Sequence, residues 1–70
     1  MKWTVCIDNK GYEASLEIRK LYEMLDDEKA STLGFLRVID ESGEDYIYPE
    51  AMFAPITIDQ PLEKRLLFVA

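Results

Sequence analysis

The chain opens in strict alternation. In K-W-T-V-C-I-D, residues 2–8, Trp3, Val5 and Ile7 fall on one side, and Lys2, Thr4, Cys6 and Asp8 on the other. Bulky and β-branched residues at period two predict a strand. N-K-G at 9–11 marks a turn. Residues 12–25, Y-E-A-S-L-E-I-R-K-L-Y-E-M-L, fit two patterns. Ala14, Ile18, Leu21, Tyr22 and Leu25 make a helical stripe. Leu16, Ile18, Tyr22 and Met24 make one face of a strand, with Lys20 spoiling the alternation. Propensity alone prefers the helix, because Glu, Leu, Lys and Met dominate.

The rest of the chain is more decided. D-D-E-K-A-S-T-L-G, 26–34, predicts a short helical turn inside a loop, with Asp26 as cap, Asp27 and Glu28 at the positive helix start and Gly34 as terminator. F-L-R-V-I-D at 35–40 and D-Y-I-Y-P at 45–49 read as strands joined by the tight turn E-S-G-E. Pro49 ends the second strand because it lacks an N–H. E-A-M-F suits one helical turn, and A-P-I-T-I at 54–58 a last short strand. In D-Q-P-L-E-K-R-L-L-F-V-A, Asp59 or Gln60 caps a C-terminal helix or turn with Pro61 at its start. Leu62, Leu66 and Leu67 share a face of it.

Seventy residues allow one domain, 1–70. A chain this short buries only about 60% of its unfolded surface, so small scaffolds lean on disulfides, a metal or a partner. The single Cys6 excludes an internal disulfide, and with no histidine it makes no zinc site. Good packing or oligomerisation is left. The net charge of −6, with basic residues scattered, disfavours nucleic acid. No run approaches the ~20 apolar residues of a membrane span. The opening residues lack the apolar core of a secretory signal, and the lone thiol suggests the cytoplasm.

Two short strings carry a resemblance. K-L-Y-E-M at 20–24 resembles the A-L-Y-D-Y string that opens Src homology 3 domains, and an acidic loop follows both. Y-I-Y-P-E-A-M-F-A-P-I at 46–56 resembles the G-Y-I-P-S-N-Y-V segment that closes them, where a strand ends at Pro, one helical turn intervenes and a last strand begins. The resemblance covers about 16–58. It implies a mainly β fold, a small five-stranded Src homology 3-like barrel with a short helical turn and a C-terminal helix or turn. It also places 16–25 in a strand against its propensity. Tyr22 and Pro49 match the family's ligand-binding positions; Met52 stands where the family has Tyr, and no mid-chain Trp occurs. The longer string L-R-V-I-D-E-S-G-E-D-Y-I-Y-P also resembles one carried by short bacterial proteins of similar length, a resemblance that implies no activity.

Each candidate chemistry has a plain structural counterpart. Asp40, Glu41, Glu44 and Asp45 suggest calcium, but the Asp-x-Asp-x-Asp-Gly loop is missing and a tight turn cannot gather them all. A solvated turn that guards a strand edge explains them better. Paired carboxylates for acid–base work need a cleft that so small a domain rarely offers. Cys6 has no histidine to activate it and reads as a small packed side chain.

The aromatics Tyr12, Tyr22, Tyr46, Tyr48 and Phe53 remain. With Ile47 turned into the core, Tyr46 and Tyr48 face outward. With Tyr22, Pro49 and Met52 they line a groove flanked by the acidic loops carrying Asp26, Asp27 and Glu44. Core packing of the same rings is the competing reading. The expected function is a non-catalytic cytoplasmic interaction module, without cofactor, binding a protein or a basic or Pro-containing peptide and working as a monomer or weak homodimer. The alternative is an accessory or regulatory subunit that oligomerises through the apolar segment L-L-F-V-A at 66–70, unless that segment folds over its own barrel.

Overall fold

The computed structural model describes residues 2–68, with side chains described through Arg65. Five short strands form one antiparallel sheet: β1 (Lys2–Cys6), β2 (Leu21–Leu25), β3 (Phe35–Ile39), β4 (Asp45–Pro49) and β5 (Phe53–Ile56). Their order is β4-β3-β2-β1-β5, so β4 and β5 are the edges and the sheet does not close on itself. Helix α1 (Glu28–Thr32) lies between β2 and β3, a 3-10 turn (Glu50–Met52) between β4 and β5, and α2 (Gln60–Phe68) follows β5. The expectation of a mainly β chain of five strands with these three short helical pieces holds, whereas the sheet is open rather than closed into a barrel.

Register decides which face becomes the core. Thr4 pairs with Tyr22, Cys6 with Phe53, Met24 with Val38 and Leu36 with Tyr48. Side chains directly opposite in an antiparallel ladder share a face, so these residues line one side. Cys6, Tyr22, Val38, Tyr48 and Phe53 are buried there, with Met24, Leu36 and Met52 packed against them. In β1 the small residues Thr4 and Cys6 take the buried side, while Trp3 and Val5 stay half-buried and Ile7 is exposed. The alternation was legible; its inward parity is the opposite of what hydrophobicity alone suggests. The rings of Tyr22 and Phe53 meet edge-on at 6.4 Å across this face.

The segment 16–25 corrects the expectation of one strand. Only Leu21–Leu25 is extended in the sheet, as β2, which is the second strand of the chain. Residues 7–20 form a long irregular loop of turns. Leu16 accepts no place in a ladder: its N–H donates to the Tyr12 carbonyl at 2.9 Å, and its side chain is fully buried in the core. Arg19 then adopts φ +69°, which reverses the chain into β2. A left-handed residue cannot continue a strand. The helix-forming composition of 21–25 is overridden because β1 and β3 hydrogen-bond it from both sides.

The loop between β2 and β3 is capped by Asp27 rather than Asp26. The Asp27 carboxylate accepts the Ala30 N–H at 2.9 Å and the Arg37 Nε–H at 2.7 Å. These bonds hold its carboxyl below the usual carboxylate range, the Ala30 N–H contributing most and Arg37 next. Gly34, at φ +82°, reverses the chain after α1. Asp59 caps α2 through the Leu62 N–H at 3.0 Å. The expected docking of 66–70 falls on side chains, and for 69–70 backbone, that lie outside the described residues.

One buried polar atom lacks a partner among the described residues, the Thr4 hydroxyl. A buried unsatisfied hydroxyl costs about 1–3 kcal/mol. Thr4→Val keeps the branched shape and removes that cost. It is expected to raise the unfolding free energy by about 1 kcal/mol, read as a higher urea midpoint at unchanged m-value.

Candidate functional site: the hairpin tip and the β4 edge

The acidic turn between β3 and β4 is a set of receptors for core tyrosines. A phenol buried without a partner is unfavourable by several kcal/mol at the upper end, and two rings here are buried. Tyr48, 4% exposed, donates its hydroxyl proton to Asp40 Oδ2 at 2.6 Å. Tyr22, also 4% exposed, donates to Glu41 Oε2 at 2.6 Å and accepts the Glu17 N–H at 2.7 Å. Lys20 Nζ closes on the same Glu41 carboxylate at 2.6 Å and sits 5.7 Å from the Tyr22 ring centre. Asp40 also takes the Ser42 N–H at 2.8 Å. The Glu41 N–H donates to the Ser15 carbonyl at 3.0 Å, tying the tip to the long loop.

These contacts set the charge states. Burial pushes the Asp40 carboxyl upward, but hydrogen bonds from Ser42 and Tyr48 outweigh it and the net shift is down. Glu41 is lowered chiefly by Lys20, then by Tyr22. Burial, and then the neighbouring carboxylates, push both phenols above their ordinary range, Tyr22 the further. Cys6 is buried, and that burial raises its thiol. A thiol so placed is a packed side chain rather than a nucleophile.

The acids of the tip are therefore committed elsewhere. Asp45 pairs with Arg37 at 3.0 Å, and Glu44 accepts the Tyr46 hydroxyl at 3.0 Å. Among the described residues, no group of three or more Asp, Glu or Cys is gathered closely enough to hold a metal ion.

The groove expected from Tyr22, Tyr46, Tyr48, Pro49 and Met52 is not assembled. Tyr22 and Tyr48 are core, and Met52 is half-buried against them. Ile47 was expected inside with both tyrosines outside; instead Ile47 is 44% exposed and Tyr48 is buried. The reason is the loop 7–20, which covers the Tyr48 side of the sheet and sets the Tyr12 ring edge-on to Tyr48 at 5.0 Å. Pro49 is half-buried on the other face, beside Ile47 in the alternation. Asp26 and Asp27 follow β2, whereas Glu44 belongs to the turn at the far end of β3, so the two acidic loops do not flank one groove. Asp26 meets Lys2 Nζ at 2.6 Å instead.

What remains at the surface is smaller. Tyr12 and Tyr46 are 41% and 49% exposed, and with Ser15, Ser42, Ile47 and the rim of Tyr48 they border a shallow hollow of about 380 Å³. It straddles the β4 edge, with Tyr46 on one face and Ile47 on the other. A second hollow of about 340 Å³ lies over Trp3, Leu21, Glu23 and Ile39, closed at one end by the Lys20–Glu41 pair. Sequence reasoning named Tyr46 and Glu44 and passed over Ile47, because one wrong parity exchanged it with Tyr48.

Comparison with protein-family models, with curated proteins and with solved structures gave no match. No described helix is long and apolar enough to cross a membrane.

Tyr48→Phe deletes the donor to Asp40 and leaves a buried carboxylate short of a partner. It is expected to destabilise the domain by about 1–3 kcal/mol, measured by urea unfolding at neutral pH.

Lowered carboxyl pKa values mean that the unfolded chain binds protons more readily than the folded one in acid. The contribution of Asp40 and Glu41 is thus full above their unfolded values near 4 and is lost as pH falls through the folded ones. The raised phenols act at the other end: their contribution is full below about 10 and is lost above it. Thermal melts across pH are expected to show a plateau with a loss on each side, and Glu41→Gln is expected to flatten the acid limb.

Proposed function

We propose that this chain is a non-catalytic interaction module that recognises a basic protein segment through the tyrosine patch at the β4 edge. The observation that carries this reading is the exposure of Tyr12, Tyr46 and Ile47 in one acidic neighbourhood. Exposed large aromatics are contact residues by chemistry, since a rigid ring buries much area at low entropic cost. Residues 40–50 hold five carboxylates and no basic residue. Coulombic steering by such a stretch favours a Lys- or Arg-bearing partner and speeds its association.

The succession of Pro49, the 3-10 turn and β5 supports describing the sheet as an opened Src homology 3-like barrel. The family's mode of holding Pro-rich ligands is not supported, because Tyr22 is core and Met52 replaces the family's Tyr. The non-catalytic reading is supported by the commitment of the tip carboxylates to Tyr22, Tyr48, Lys20 and Arg37. A cytoplasmic place of action suits a single free thiol.

The test pairs two variants. Tyr12→Ser/Tyr46→Ser is expected to keep the far-ultraviolet circular dichroism spectrum while weakening binding of a lysine-rich peptide about tenfold, as loss of aromatic contacts does. Tyr48→Ser is expected to lose folded protein instead. Unchanged peptide affinity in the folded double variant rejects the patch.

A further inference from the structure

The hydrogen-bond pattern of β4 points to how such a partner is held. The Asp40 N–H donates to the Glu44 carbonyl at 3.0 Å, and the Glu50 N–H to the Gly34 carbonyl at 3.0 Å. These two bonds bracket the β3–β4 ladder, in which Val38 opposes Tyr46 and Leu36 opposes Tyr48. Hydrogen-bonded pairs alternate along an antiparallel ladder. Tyr46 and Tyr48 therefore turn their N–H and C=O groups towards β3. Asp45 and Ile47 turn theirs to the open side, where β4 has no neighbouring strand. Pro49 is tolerated at the next outward position because no N–H is asked of it there.

The two edges of the sheet are unlike. β5 carries Pro55 in the middle of its four residues, opposite Thr4. The Cys6 N–H donates to the Lys20 carbonyl, which turns Thr4 towards β2 and leaves the Pro55 nitrogen on the outer edge. That edge lacks its central donor, a common protection against pairing. β4 has no such block between Asp45 and Tyr48. Its side chains are exposed on both faces: Tyr46 on one, and Asp45 and Ile47 on the other.

We infer that an extended, basic segment of a partner protein adds as a strand along β4, pairing with the backbone of Asp45 and Ile47. This inference rests on the patch reading above and adds the mode of binding. The backbone supplies affinity, and side chains alternating across the new strand meet Tyr46 and Tyr12 on one face and Ile47 on the other. Charge chooses the occupant. A second copy of the chain brings its own net charge of −6 and the same acidic stretch to this edge, whereas a Lys-bearing strand relieves that charge.

The experiment uses the whole chain, labelled for NMR, and three synthetic octapeptides. One alternates lysine and valine, one alternates glutamate and valine, and the third is the lysine peptide N-methylated at every residue. The lysine peptide is expected to slow amide exchange at Asp45 and Ile47 and to shift the Tyr12 and Tyr46 ring signals. The glutamate peptide is expected to do neither, and N-methylation to weaken binding about tenfold or more, since it removes the backbone N–H donors from both edges of the peptide. Ile47→Ala keeps the outward donor and Ile47→Pro removes it, so the proline variant is expected to bind more weakly than the alanine variant by about the N-methylation loss, with the circular dichroism spectrum of both unchanged. Ring shifts without amide protection, and indifference to N-methylation, overturn strand addition and leave the patch standing. No response of rings or amides to the lysine peptide overturns both. Equal binding of the glutamate peptide overturns the choice of a basic occupant. Protection at Asp45 and Ile47 that rises with protein concentration alone makes the occupant a second copy and overturns the proposal as stated.

Discussion

Two core tyrosines must keep their hydroxyls satisfied, and the hairpin tip supplies the acceptors. Tyr22 and Tyr48 pack against Phe53 from β2 and β4, which brings both phenols to the same end of the sheet. The adjacent residues Asp40 and Glu41 receive one hydroxyl each. Charge-assisted hydrogen bonds of this kind are roughly twice as strong as neutral ones. Their failure leaves a carboxylate or a phenol stranded in a core that has little stability to spare. A chain of seventy residues with a single cysteine has few other ways to secure a loop as long as 7–20.

That loop shows how far the clamp reaches. It has no regular structure, yet it carries Leu16, which is fully buried. Its backbone is fixed at several points: the Asn9 side-chain amide donates to the Leu16 carbonyl, Tyr22 accepts from Glu17, and Glu41 donates to Ser15. The last two of these contacts involve the clamp residues. The loop thus covers one face of the sheet because the tip holds it there, and covering that face is what buries Tyr48. The core, the loop and the acidic turn form one cooperative unit rather than a scaffold with decoration.

The same arrangement explains where a contact surface is left. With Tyr48 drawn inward, Tyr46 is the β4 ring that remains exposed, joined by Tyr12 from the loop and by Ile47 across the strand. The stretch 40–50 around the patch carries five carboxylates and no basic residue. An acidic, aromatic edge with outward backbone groups is suited to an extended cationic chain, while the opposite edge is closed by Pro55.

Much of the architecture was written locally. Strands β1, β3 and β4, the turn at Ser42-Gly43, the stop at Pro49, the helical turn before the last strand and a cap at Asp59 or Gln60, of which the fold uses Asp59, all follow from period-two alternation, glycine conformation and capping chemistry within a few residues. Those signals act over short range, so a single sequence displays them. Parity did not follow: alternation puts Trp3 and Val5 on one side and Thr4 and Cys6 on the other, yet only pairing across the sheet chose Thr4 and Cys6 for the core. The burial of Tyr48, the extended state of Leu21–Leu25 and the use of Asp40 and Glu41 as tyrosine acceptors were likewise settled by contacts between residues far apart in the chain. Which of two chemically plausible faces is buried depends on what lies opposite it, and that information exists only once the chain is folded.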